Sequence, residues 1–174
     1  MAKPQARKSP HALRRSAARL AAVQTLYSMD ITGVSAQTAL DEFRLRQQED
    51  QRPGRPEPDG ELVALLVQGA TAETAELDEM IGRALTRDWS VDRLEAVLRA
   101  VLRAGAFEIK ARSQTPARVA ISEYVDVAHA FYAGSEPGLV NAVLDRVARA
   151  LRPAEFDRGG ESNRGESNRG ESGG

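Results

Sequence analysis

An all-α fold is what this sequence predicts, and three observations carry that reading. Apolar residues recur at i, i+3, i+4 spacing through most of the chain, the period of a helix with one buried face. Hydrophobic residues make up 41% of the chain but aromatics only 5%, with Ala and Leu dominant. Close helix packing tolerates Ala, whereas sheets favour β-branched and aromatic residues. No segment alternates convincingly as a strand does. With 174 residues, the chain suits one domain with tails and about six or seven helices.

Residues 1–11 read as a flexible basic arm, with Pro4 and Pro10 and no apolar period. The folded domain runs over 12–153. A first helix is predicted from Leu13 to about Met29, with Leu13, Ala17, Leu20, Gln24 and Tyr27 on one face. Gly33 stops it. A second helix spans about Ser35 to Gln47 through Ala39, Leu40 and Phe43. Residues 51–60 hold three prolines and two glycines and form a loop.

One long helix is expected from Glu61 to Leu85, its polar middle from Thr71 to Glu76 bending it. The carboxylates of Glu73, Glu76, Asp78 and Glu79 are placed on its solvated side. Ser90 is a candidate N-cap for the next helix, which carries Leu94, Leu98, Val101, Leu102 and Gly105. Thr115-Pro116 starts another, with Pro at a favoured first position, and Ser135-Glu136-Pro137 starts the last, ended by Arg152-Pro153. Residues 154–174 are expected to be a disordered tail, because the Gly-Glu-Ser-Asn-Arg repeat from 159 is too polar to bury anything.

Charge is unevenly spread. The first 29 residues contain Lys3, Arg7, Lys8, Arg14, Arg15 and Arg19 and no acid, the first being Asp30. A +6 segment therefore sits on a −7 body, a polarity that the pI near 6.2 hides. A basic arm running into an amphipathic helix suits a phosphate-bearing partner, since each neutralised phosphate releases a counterion. With no cysteine there is no disulfide or thiolate chemistry. No apolar run reaches the roughly 20 residues a membrane span needs, so a soluble cytoplasmic protein is expected. His11 and His129 stand alone, without a metal-binding pattern, and no phosphate loop or nucleophile elbow occurs. The expected role is binding, without enzyme activity or cofactor.

Four segments resemble the NusB family of bacterial transcription antitermination factors. They are R-R-S-A-A-R-L-A-A-V-Q-T-L-Y-S (14–28), V-L-R-A-G-A-F-E-I (101–109), V-A-I-S-E-Y-V-D-V-A (119–128) and L-V-N-A-V-L-D-R-V-A (139–148). Each alone is an amphipathic helix; together they follow family order and spacing. The resemblance implies two packed three-helix subdomains. It also implies binding of boxA-type single-stranded RNA from ribosomal-RNA leader transcripts, jointly with NusE, the small-subunit ribosomal protein, in a complex on RNA polymerase. Relatives occur as monomers and as homodimers.

The candidate RNA contacts are Lys3, Arg7, Lys8, Arg14, Arg15, Arg19, Tyr27 and Leu139. On a helix, Arg15 and Arg19 lie one turn apart on one side, both expected in solvent. Tyr27 lies about 80° further round, at the edge of the apolar face. Cations beside a partly exposed aromatic are what single-stranded RNA needs, phosphates paired and a base stacked. Leu139 stands where the family often has an aromatic; a lost stack costs on the order of 1–3 kcal/mol. Candidate partner contacts are Glu108 and Glu136, although Glu108 reads first as half of a buried ion pair with Arg103 or Arg112. Two other readings compete: a helical protein–protein adaptor, and an RNA-binding module of another RNA-processing pathway.

Overall fold

The computed structural model describes residues 7–50 and 52–157. Lys3, the other residues up to 6, and the repeat from 159 lie outside the described residues. Among the described residues the fold is helical throughout. Helix α1 is Pro10–Thr32, α2 Ala36–Glu49, α3 Gly60–Ala72, α4 Thr74–Ala84, α5 Ala96–Ala111, α6 Ala117–His129, α7 Glu136–Leu151 and α8 Ala154–Asp157.

The boundaries follow from capping. α1 begins three residues earlier than the apolar period suggests, because Ser9 Oγ accepts the Ala12 N–H at 3.2 Å and Pro10 occupies the first turn. Pro10 and His11, expected in the flexible arm, are therefore helical. Gly33, at φ 72°, closes α1 with its N–H on the Met29 carbonyl. Ser35 and Asp59 cap α2 and α3 in the same way as Ser9.

The predicted Glu61–Leu85 helix is two helices, broken at Glu73. There the hydroxyls of Thr71 and Thr74 bond the carbonyls of Val67 and Ala70, competing with the regular ladder. Ser90 opens only a short 3₁₀ turn, Val91–Arg93, and its side chain makes no cap. Residues 154–157, assigned to the tail by sequence, form α8.

α1, α2 and α3 form one three-helix unit, and α5, α6 and α7 a second to which α4 adds. α5 is the shared centre, packing against α1, α3, α4, α6 and α7. Two glycines make this possible. A Cβ on Gly69 of α3 would lie 1.9 Å from Phe107 Cζ, and one on Gly105 of α5 would lie 2.7 Å from Leu144 Cδ1. Ion pairs fasten the rim of α5. Arg103 donates twice to Asp78 at 2.7 Å, Lys110 holds Glu73 and Glu76, and Arg99 holds Asp30 at 2.6 Å. Asp78 and Glu73 are thus partly covered by α5, Glu76 reaches Lys110 from an exposed position, and Glu79 pairs with Arg83 in solvent.

α1 buries a different face from the expected one. Ala18, Ala21, Ala22, Val23 and Leu26 enter the core, while Leu13 and Tyr27 are 40% and 39% exposed and Gln24 is also exposed. The small side chains let α3 and α5 approach α1 closely. Leu13, Ala17, Leu20 and Gln24 instead line an open groove of about 1700 Å³ beside α2 and the proline-rich loop.

Candidate nucleic-acid interface

The basic helix α1 divides its cations between the interior and the surface. Arg19, expected in solvent, is 3% exposed. Its Nε and Nη2 donate to the two oxygens of Glu108 at 2.9 and 2.6 Å, and Nη1 reaches Glu123 at 3.3 Å. Glu108 is fully buried and also accepts the Tyr124 hydroxyl at 2.7 Å. Its partner is therefore Arg19, since Arg103 is committed to Asp78. Glu108 is fully buried and Arg19 nearly so, its guanidinium taken up by Glu108 and Glu123 at the base of a cleft. Both tie α1 to α5.

Electrostatics within this cluster are well matched. Burial works against the Arg19 charge, but the hydrogen bonds and charge of Glu108 more than offset it, and its pKa is raised. Burial also works against ionised Glu123. Hydrogen bonds from Lys8 and Ser16, with the charges of Lys8 and Arg19, nevertheless hold it below the usual carboxylate range. Burial, then the Glu108 charge and hydrogen bond, push the Tyr124 phenol well above its ordinary value.

Around this buried cluster lies the surface. Lys8 donates to Glu123 at 2.5 Å and to Ser16 at 3.0 Å, and comes within 3.8 Å of Asp126, which ties Lys8 to α6 and α1. Arg7 and Arg14 are exposed; Arg14 Nε donates to the Glu57 carbonyl at 3.3 Å, and the Asp59 N–H returns a bond to the Arg14 carbonyl. Arg15 is half-buried and lines a cleft of about 170 Å³, shared with Lys8, Gln114, Thr115 and Val119. Its Nε is buried without an acceptor.

Of the other candidates, Tyr27 keeps an exposed ring. Leu139 is partly buried, packed against the core. Glu136 begins α7 with its carboxylate folded over Gly134, one oxygen buried without a partner. Glu123 and Tyr124 were missed by sequence reading. Their signal is their adjacency on α6: Glu123 lies at its exposed margin and Tyr124 in its apolar stripe.

Comparison with known proteins supplies the deciding observation. The family model described as NusB family matches residues 16–149. The chain belongs to the NusB family. Transcription antitermination protein NusB of Rhodospirillum rubrum is 49% identical over 170 residues, spanning 87% of this chain and 92% of that one. The Thermotoga maritima NusB structure superposes with TM-score 0.68 at 24% identity, over 82% of this chain and 96% of that one, and so shares the fold. The crystal structure of antitermination factors NusB and NusE in complex with dsRNA matches with TM-score 0.64 and 28% identity, over 79% of this chain and 97% of the matched chain. In this NusB-family chain, then, α1 holds both the buried Arg19 tie and exposed or half-exposed arginines.

Proposed function

We propose that this chain is a transcription antitermination factor that binds boxA-type RNA together with NusE and acts on RNA polymerase in the cytoplasm. The observation that carries the RNA reading is the state of Arg15. It lines a cleft together with Lys8 and carries a buried Nε without an acceptor, while Arg7 ahead of α1, and Arg14 and Tyr27 on α1, are exposed. Buried donors without acceptors are costly, and a phosphate oxygen is the acceptor such a cation suits best. A relative solved with NusE and RNA supports the same pairing of partners for this family member. The role read here is binding rather than catalysis. Among the described residues no helix is long and apolar enough to cross a membrane.

Fluorescence anisotropy of a short boxA-like RNA, titrated with and without the small-subunit ribosomal protein, tests the reading against a scrambled RNA. Preference for boxA that sharpens with the ribosomal protein is the expected result. Equal binding to both RNAs, unmoved by the protein, would leave a generic cationic surface and favour an adaptor.

A further inference from the structure

The cleft beside Arg15 has two walls of different origin. One is Lys8 and α1, with Ala12, Arg15 and Arg19; the other is the α5–α6 connection and α6, with Gln114, Thr115, Pro116, Val119 and Glu123, whose carboxylate is held by Lys8, Ser16 and Arg19. The first wall is rigid, because Arg19 is locked to Glu108. The second is a short connection whose backbone groups are satisfied from outside the cleft, by residues at the end of α7 and in α8.

Arg152, the C-cap of α7, is 11% exposed and reaches across to this connection. Its Nη1 donates to the Thr115 carbonyl at 2.8 Å and its Nη2 to the Arg112 carbonyl at 2.6 Å. Glu155 accepts the Ala117 N–H at 2.8 Å and pairs with Arg152 at 3.2 Å. Phe156 lies between the guanidinium groups of Arg149 and Arg118, at 4.5 and 5.1 Å from the ring centre. Arg112 caps the end of α5 and Ala117 opens α6, so residues 152–157 hold both ends of the connection. None of these strap residues lines the cleft.

We propose that residues 152–157 are a positioning strap for the RNA-binding cleft, with Arg152 and Glu155 as its positioning residues. The strap sets the Gln114–Thr115 wall at the spacing from Arg15 at which one phosphate of the RNA backbone is held. It acts through the Arg112–Ala117 connection and touches no nucleotide. This inference rests on the RNA-binding reading, but it makes a claim about the connection that can be checked without RNA.

The test is a double-mutant cycle read by anisotropy with the boxA-like RNA. Arg152→Ala is expected to weaken binding about tenfold and to leave little further effect once Arg15 is Ala, since both act on one cleft. Unchanged affinity in Arg152→Ala, or losses that simply add, would overturn the proposal. If Arg152→Ala fails to fold cooperatively, Phe156→Leu keeps the apolar volume, loosens the strap and enters the same cycle. Hydrogen exchange supplies the readout that does not need RNA. Faster exchange confined to residues 112–119 in Arg152→Ala is expected, and unchanged exchange there would overturn the strap even if the wild-type chain bound no RNA.

Discussion

Arg19 shows how a single residue's surroundings redirect its role. In the sequence it is one more cation in a basic run; in the fold it is the buried partner of Glu108 and Glu123. Removing one member of a buried pair strands the other charge, so Arg19→Ala is predicted to cost about 3–5 kcal/mol in chemical denaturation. Arg15→Ala, at the half-buried neighbour, is predicted to cost far less in stability while weakening RNA binding. Equal stability losses in the two variants would contradict this division. Glu123 makes a pH prediction. Its folded-state pKa is depressed, so its contribution to stability is complete above its ordinary value of 4.5 and is lost as pH falls through the folded value. Stability measured from about pH 6 down to about pH 3 should therefore fall less steeply in Glu123→Gln than in the wild type. For Tyr124 the sign is opposite: its raised pKa means a contribution complete below 10 and lost as pH rises past it.

At the scale of elements, packing overrides propensity in places the sequence marks only faintly. Gly69 sits mid-helix in α3, where Ala would be favoured by about 1 kcal/mol on propensity alone. Its missing Cβ is the space that the Phe107 ring fills. Gly69→Ala is therefore predicted to destabilise by about 1–3 kcal/mol, measured by thermal or chemical unfolding. A stabilising effect would mean the α3–α5 contact is looser than described. Helix existence and order were legible in the apolar period; several ends were not. The Ser9-Pro10 start of α1 carries the same kind of signal as Thr115-Pro116, three residues ahead of the first leucine of the apolar stripe. At Thr115-Pro116 the signal points one residue early: Pro116 is the N-cap rather than the first helical residue, and the Ala117 N–H is answered by Glu155 from 38 residues away.

For the whole molecule, the sequence conveyed the helical architecture and the family, and less of the interface. Periodicity reports which residues are apolar, but it does not report which of two stripes on an Ala-rich helix a neighbour will cover. α1 has both, and the one made of Ala18, Ala22 and Val23 won because small side chains permit a closer approach. That rotation carries Arg19 inward and leaves Arg15 beside the cleft and Tyr27 with an exposed ring. The candidate site was thus half legible: the basic helix was found, and its division of labour needed the partners on α5 and α6.

The central claim is that Arg15 and its neighbours form a phosphate-binding surface that is separable from the Arg19 tie. The salt dependence of RNA binding tests it most directly, comparing the wild-type chain with Arg15→Glu by anisotropy and checking the helicity of both by circular dichroism. With five or six phosphates engaged, the wild-type log–log slope is predicted to be about −4 for a single strand. Arg15→Glu should retain full helicity, bind more weakly, and show a slope shallower by about one. An unchanged slope and affinity in Arg15→Glu would contradict the account and move the RNA surface elsewhere on the molecule.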